Sequence, residues 1–442
     1  MKKDGRIARR SFLKTFAAGN FPAVVPSAVF ARKGRYAPSD RLTFGHIGVG
    51  GMGTYHLRDM VRRMQRGWVY VAAVCDVDEK RLARAAAIAG PQATPYRDYR
   101  YLIQRNDIDG VIIATPDHWH AIQMVHAAEC GKHVYVEKPA CCTIEEGKAM
   151  IAAAKKYRVA VQVGSQGRSQ PEAYLAHRYI VNCLGRVKRV ECWHYPSPSR
   201  PAVPDCDPPP ELDWDMWLGP LRWRPYNPQY CHGVFRWIME SGGGEIRDRG
   251  AHVFSCAKYF TGTDGQEPVL IEATGTSPQE GLWDSALDME VKYTFKNPDW
   301  VLTWSQPGRR IPAEPRRKGE PKIKRDGYGA VYYGENEKLV VWAGDGGTWV
   351  ERKARYWKPP PGSKDVYKSP GHKEDWFHAI KTGSKTIMNI EAGVEVANMC
   401  ILGNLSFLLK RSIRWDPVKK EIIGDEEAKR LQSRPQRYPY QL

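Results

Sequence analysis

The chain of 442 residues is too long for one ordinary domain and suits two. Its 42% hydrophobic and 26% charged residues, with 15 Trp, 22 Tyr and 11 Phe, exclude disorder over most of the length. Negative mean hydropathy and the lack of an uninterrupted apolar run near about 18 residues exclude a membrane-spanning protein.

The charge is lopsided, 67 Lys+Arg against 49 Asp+Glu, or +18; without residues 1–31 it is 61 against 48, or +13. No basic amphipathic helix, zinc-finger spacing or aromatic RNA-binding signature accompanies it, so it reads as a basic surface rather than a nucleic-acid footprint. The ten cysteines include the adjacent pair Cys141 and Cys142 but no CxxC and no Cys/His cluster. Most of them read as small buried apolar residues, with neither a metal site nor a disulfide framework.

Arg9-Arg10-Ser11-Phe12-Leu13-Lys14 resembles a twin-arginine export signal, followed by a weakly apolar stretch to Ala31. Val29 and Ala31 are small enough for cleavage after Ala31, and Pro22 and Pro26 argue against a first helix of the fold. Residues 1–31 are therefore expected to be a signal peptide and the protein to be periplasmic or otherwise exported. That route carries folded proteins, often with a cofactor already loaded.

From Arg41 strands and helices alternate. The strand Leu42 to Gly48 runs into Gly48-Val49-Gly50-Gly51-Met52-Gly53 and a helix starting near Thr54. In such a GxGxxG the first glycine permits the turn and the second lets backbone approach a pyrophosphate. The third allows helix to pack on strand, and the helix N-terminus supplies amides. A second strand, Val69 to Cys75, ends in Asp76, whose carboxylate suits both ribose hydroxyls of NAD and repels the 2′-phosphate of NADP. The alternative for Asp76 is a helix N-cap.

Strands Gly110–Thr115 and His133–Val136 end in the polar clusters Thr115-Pro116-Asp117-His118-Trp119-His120 and Glu137-Lys138-Pro139. Open α/β sheets bind ligands at those edges. Helices Trp119–Cys130 and Thr143–Tyr157 and the strand Val159–Val163 complete a doubly wound parallel sheet over about 41–164.

These residues, together with Asp248-Arg249-Gly250-Ala251-His252, resemble the Gfo/Idh/MocA family, which includes glucose–fructose oxidoreductase and inositol dehydrogenase. The resemblance implies an NAD-binding Rossmann domain and an α/β domain over 165–442 with an open, largely antiparallel sheet. It implies cofactor contacts at Gly48, Gly50, Gly51, Met52, Gly53, Asp76, Thr115, Pro116, His120, Glu137 and Lys138. It also implies a reacting hydroxyl held by Lys138, with Asp248 and His252 as the proton-transfer pair. A homodimer or tetramer is a further expectation from the family.

Elementary chemistry agrees. Hydride leaves a secondary alcohol only as its hydroxyl proton is removed, and histidine titrates near neutrality. Four residues apart on a helix, Asp248 and His252 would share one face, the carboxylate fixing the imidazole tautomer. Lys138 would stabilise alkoxide charge, or act as base if desolvated. Arg247 and Arg249 are departures: two extra cations suit an acidic substrate, such as a uronate or sulfated sugar, or a solvated surface, the reading preferred.

In the second domain the loop Gly164 to Ser169 precedes a helix Glu172–Leu184 and a strand Val187–Tyr195. Gln166 and Arg168 are expected to contact substrate, as are Tyr195, Arg236 and Trp237. Pro196 to Pro228, with Trp214, Trp217 and Trp223, reads as a long stiff loop. Gly308 to Arg325 holds eight basic and two acidic residues and reads as a solvated loop, with anionic-polymer binding as the sharper alternative. Helices His372–Ile380 and Glu391–Leu409 should cover a sheet face.

The expectation is thus an exported oxidoreductase acting on a secondary hydroxyl of a sugar, glycoside or polyol with tightly bound NAD. No metal, nucleic-acid partner or membrane span is expected. The alternative is an NAD-assisted glycosidase that oxidises, eliminates, adds water and re-reduces, with Tyr195 or His194 as second base. Ordinary paired glycosidase carboxylates are not evident.

Overall fold

The alternation expected from Arg41 onward is found in a computed structural model, which describes residues 40–309, 311–312, 314–315, 327–344 and 347–442. Six parallel strands form the first sheet: β1 (Leu42–Ile47), β2 (Val69–Cys75), β3 (Thr94–Tyr96), β4 (Gly110–Ile113), β5 (His133–Glu137) and β6 (Val161–Gly164). Their order is β3-β2-β1-β4-β5-β6. β4 is buried at every position and β5 at all but His133, as a sheet covered on both faces requires. Helices α1 (Gly51–Gln65), α2 (Glu79–Ala89), α3 (Tyr99–Ile103), α4 (His120–Glu129) and α5 (Ile144–Tyr157) make the crossovers.

Local chemistry sets the helix starts. Asp78 caps α2 by accepting from Arg81 N at 2.9 Å, and Thr143 with Glu146 forms a capping box on α5. α1 begins three residues before Thr54, because the glycine loop itself makes the first turn, with Thr54 N donating to Gly50 O at 2.9 Å. Strand order reverses between β1 and β4, and the crevice beyond their carboxyl ends is the place where such sheets bind ligands.

The second sheet has nine strands among the described residues: β7 (Val187–Trp193), β8 (Leu270–Thr276), β9 (Asp288–Phe295), β10 (Trp300–Gln306), β11 (Tyr328–Gly334), β12 (Lys338–Gly344), β13 (Gly347–Val350), β14 (Ile413–Asp416) and β15 (Glu421–Ile422). The order is β13-β12-β11-β7-β10-β9-β8-β14-β15, antiparallel except for β7 beside β10. Period-2 alternation puts Met289, Val291, Tyr293 and Phe295 of β9, and Trp300, Leu302 and Trp304 of β10, among the buried residues. Helix α6 (Pro171–Cys183) leads into this domain. Between β7 and the helix α8 (Ala251–Thr261) lie a short helix, α7 (Trp214–Leu218), a 3-10 turn, Val234–Trp237, and a π-helical turn, Ile246–Gly250.

Two carboxyl-terminal helices join the sheets. α9 (His372–Thr382) lies on the Rossmann sheet, with the buried Trp376 ring 5.0 Å from that of Phe44 and 5.8 Å from that of Tyr135. α10 (Ile390–Leu409) packs on β8 and α8 on one side and on α5 and β6 on the other. It is long and apolar enough to cross a membrane, but 89% of its apolar window is buried inside this protein and Glu395 pairs there with Lys258. It is a core helix.

The arginine pair Arg9 and Arg10, with the whole export-like segment, lies outside the described residues, as does most of the basic stretch from Gly308 to Arg325. Truncating Trp376 to Ala should remove the seal between α9 and the first sheet. We expect a loss of about 3–5 kcal/mol in urea unfolding, the range for a fully buried large aromatic.

Candidate active site

The loop between β1 and α1 is shaped for an anion. Gly48 has φ +78, and a Cβ there would fall 2.6 Å from Thr115 N; a Cβ on Gly53 would fall 1.9 Å from Gly48 O. Gly50, the N-cap of α1, offers its first-turn amides no side-chain acceptor. Asp76 closes the far side, with Oδ2 accepting from Val49 N at 2.8 Å and Oδ1 from Asp78 N at 3.0 Å. Burial pushes its carboxyl up, against those two amides. Gly48, Gly50, Gly51, Met52, Asp76, Thr115, Pro116, His120, Glu137 and Lys138 line one cleft. Glycines, an uncapped helix end and an acid at the end of β2 fit an NAD-type dinucleotide.

The walls of that cleft are cross-braced. Thr115 Oγ1 donates to Gln123 Oε1 at 2.8 Å, and the buried His120 ring spans the carbonyls of Pro139 (2.8 Å) and Thr115 (3.0 Å).

Lys138 reaches out of the Rossmann edge to the π-helical turn. Its ammonium donates to Asp248 O at 3.0 Å and pairs with Asp248 Oδ1. Arg236 Nε lies 3.3 Å from Oδ1 and Arg249 Nε 3.3 Å from Oδ2. Against burial, Lys138, then Arg236 and Arg249, hold the Asp248 carboxyl well below the usual carboxylate range.

Here the expected Asp248–His252 pairing needs correcting. Asp248 sits in the π turn and His252 in the first turn of α8, so they do not share the register of one α-helix. The carboxylate is taken up by three cations, and among the described residues nothing hydrogen-bonds the His252 ring. Burial, then Lys138, pushes His252 down to about 3, so it is a neutral imidazole rather than one poised near neutrality.

Glu137, buried just before Lys138, is held from several sides. His56 Nε2 lies 2.7 Å and Gln166 Nε2 2.8 Å from its Oε1, and Lys138 N donates to Oε2 at 3.2 Å. Against burial, the bond from His56 and the charge of Lys138 hold its carboxyl down at about 2. Glu245, before the π turn, is the opposite case. Among the described residues its Oε2 has no hydrogen-bond partner; it lies 3.5 Å from His194 Nδ1, and burial, then Asp248, push the acid up to about 8.

The segment after β7 is the long, internally packed loop expected there, and it folds across the mouth of the cleft. Leu212 bridges to Asp78, Glu79 N donates to Glu211 O at 3.0 Å, and His232 Nε2 lies 3.2 Å from Asp78 Oδ2. Trp119 Nε1 donates to Met216 O at 3.0 Å. Trp214, Trp217, Leu218, Tyr230 and Phe235 give this insert its own small core, joined by Trp283 from the β8–β9 connection, while Met216, Trp217, His232 and Phe235 face the cleft. The carboxyl-terminal segment ties it down: Arg437 donates to Gly219 O (3.0 Å) and Asp215 O (2.7 Å), and Tyr440 to Asp215 Oδ2 (3.0 Å).

Of the expected substrate contacts, Arg236 faces the cleft and the others do not. Arg168 is 2% exposed, held by Asp264 at 2.6 and 2.8 Å and by Ser255 at 2.8 Å, because a buried guanidinium must spend its donors on fixed acceptors. Gln166 serves Glu137 and the Tyr135 hydroxyl. Trp237 packs on Trp283 of the β8–β9 connection, and Tyr195 is exposed, its ring 5.4 Å from that of His194. Nor is Arg247 a surface cation: it is 3% exposed, donates to Cys142 Sγ and Cys141 O, and lies 3.9 Å from the buried Asp117. His56, Lys373 and the cleft-facing Met216, His232 and Phe235 of the insert were invisible in the sequence, since no local motif marks them.

Two family models match: an oxidoreductase-family NAD-binding Rossmann fold over 42–165, and the C-terminal α/β domain of the same family over 191–299 and 363–442. The chain is 32% identical over 164 residues to a glycosyl hydrolase family 109 protein of Shewanella pealeana, covering 32% of this chain and 35% of that protein. It is 30% identical over 227 residues to levoglucosan dehydrogenase of Pseudarthrobacter phenanthrenivorans, covering 50% and 51%. Thus it spans between about a third and two thirds of the curated relatives it matches first. The fold is shared with a solved levoglucosan dehydrogenase in complex with NADH, at TM-score 0.59 and 22% identity, over 85% of this chain and 99% of that one. With both domain models matched in order around this cleft, the chain belongs to the Gfo/Idh/MocA oxidoreductase family.

Proposed function

We propose that the protein oxidises a secondary hydroxyl of a sugar, glycoside or polyol and holds NAD between turnovers. The observation that carries this is Lys138 on Asp248 in the cleft that also holds the glycine loop and Glu137. A nicotinamide dinucleotide held by the glycine loop, Asp76 and Thr115 would supply a hydride acceptor whose positive charge is lost on reduction. Lys138 donates to the substrate oxygen as alkoxide charge develops. Neutral His252 accepts the hydroxyl proton, which replaces the charge just lost instead of adding to the three cations nearby. Asp248 orients Lys138 and balances part of that charge. Levoglucosan dehydrogenase among the relatives supports a carbohydrate substrate.

Asp76 supports NAD over NADP, because a carboxylate fixed by two amides repels a 2′-phosphate. The insert bridged to Asp78 supports slow cofactor exchange. Residues 1–31 support twin-arginine export, in which a retained cofactor travels with the folded protein. The second reading, an NAD-assisted glycosidase, is favoured by the family 109 relative and by the covered cleft, since a cycle without net redox change needs no acceptor.

With nitrophenyl glycosides and no added acceptor, NADH fluorescence should build up, and Lys138→Ala should slow it on the order of 10²–10⁴-fold. Nitrophenolate release without NADH, lost in the same variant, would assign the second reading instead; no signal from any substrate would overturn both. Asp76→Ser should narrow the preference for NADH over NADPH in fluorescence titrations by about tenfold or more, equivalent to about 1.4 kcal/mol. Replacing Arg9 and Arg10 by Lys should leave the protein in the cytoplasm in cell fractionation; unchanged export would remove that assignment.

A further inference from the structure

Glu137 is held from behind by residues the reaction does not touch. His56, on α1 and fully buried, presents Nε2 to Glu137 Oε1 at 2.7 Å and Nδ1 to Lys373 Nζ at 2.9 Å. An ammonium only donates and a carboxylate only accepts. The imidazole between them is therefore neutral, with its hydrogen on Nε2 and its lone pair on Nδ1. Lys373, on α9, also lies 3.1 Å from Asp59 Oδ2, and Asp59 is bonded by Arg63 Nε at 2.9 Å. A single hydrogen-bonded line thus runs from the cleft, through the buried Rossmann interior, to the half-exposed Asp59. Burial, then Lys373, lowers His56, in keeping with the neutral ring.

The line has a clear destination. Of the anions around His252, Glu137 weighs more than Asp248 in favouring the protonated ring. Asp248 is already matched by three cations, so Glu137 is the carboxylate left to stabilise an imidazolium there.

We propose that His56 and Lys373 are positioning residues of this site, fixing the Glu137 carboxylate as an anion beside Lys138 and His252. The inference rests on the alcohol-oxidising reading above and deepens it. His56 is the spacer that lets the charge of Lys373 act on Glu137 without a direct ion pair, which would swing the carboxylate away from the cleft. The other groups facing this line are His46 of β1, Tyr55 and Asp59 of α1, Tyr135 of β5, Gln166, His372 of α9, and Arg63, which shares Asp59. None of them can replace the ring, because among the described residues only His56 touches both Glu137 and Lys373.

The test compares His56→Leu, Lys373→Met and His56→Gln. Glutamine donates to Glu137 from its amide and accepts from Lys373 at its carbonyl, so it keeps both roles without titrating. In His56→Leu and Lys373→Met the acid limb of kcat/KM should move up by about one pH unit or more, with kcat falling about tenfold or more. His56→Gln should restore the wild-type profile. An unmoved limb, or no rescue by Gln, would reduce the line to packing.

A second readout needs no substrate. Glu137, held below its unfolded value in the folded protein, contributes stability that is complete above that unfolded value and is lost as pH falls through the lowered one. Without the line, burial raises Glu137 above its unfolded value, and the variant then gains relative stability as pH falls through that raised value. The melting-temperature gap between wild type and His56→Leu should therefore shrink between pH 8 and pH 5, roughly the span of a buried carboxyl. A gap constant with pH overturns the proposal. A shrinking gap in a protein that oxidises nothing keeps the line and rejects the functional reading.

Discussion

A lysine at the edge of the first sheet and an aspartate from the second domain's π turn meet beside the cleft, and the rest of the site is arranged around that contact. The Lys138 ammonium leaves the end of β5 and lands on both the main-chain and side-chain oxygens of Asp248. Pairing a buried charge costs desolvation of both partners, so a pair like this is strongly felt when either member is removed and weakly felt when both are present. What it provides is position: the two domains cannot slide past each other without exposing one charge or burying it alone. Arg236 and Arg249 are drawn to the same carboxylate, and the π turn is the local device that turns Asp248 toward them.

The parts of this arrangement that were legible in the sequence are those written within a few residues. The glycine run, the acid at the end of β2, Thr115-Pro116-Asp117 and Glu137-Lys138-Pro139 each sit at a strand end, where periodicity and loop chemistry together fix position. Arg168, Gln166 and Trp237 were misjudged for one shared reason. Their types suit a sugar, but each is consumed by a structural partner distant in sequence: Arg168 by Asp264, Gln166 by Glu137, Trp237 by Trp283. The same distance hid the contact between His56 and Lys373, 317 residues apart. The π turn was equally hidden, since a spacing of four reads as helical in any sequence and gives no sign of an inserted residue.

The insert after β7 shows how a segment rich in Pro and Trp becomes a wall. Its aromatic side chains do not stack outward for a ligand; most pack on one another, and its backbone carbonyls serve His118 and Trp119 of the Rossmann edge. Because Glu211, Leu212 and His232 engage the turn around Asp78, the insert rests on the very loop that follows Asp76. One of the three cations, Arg236, also comes from this insert, which therefore joins the cover of the dinucleotide cleft to the charge cluster on Asp248.

The tie between Arg437, Tyr440 and Asp215 carries a consequence for how the cleft opens. The insert is fastened at two places, by the turn around Asp78 and by Arg437 and Tyr440. Lifting it off the glycine loop therefore breaks bonds at both. The passage of a nucleotide is in this way coupled to residues 222 and 225 positions further along the chain than the aspartate they hold.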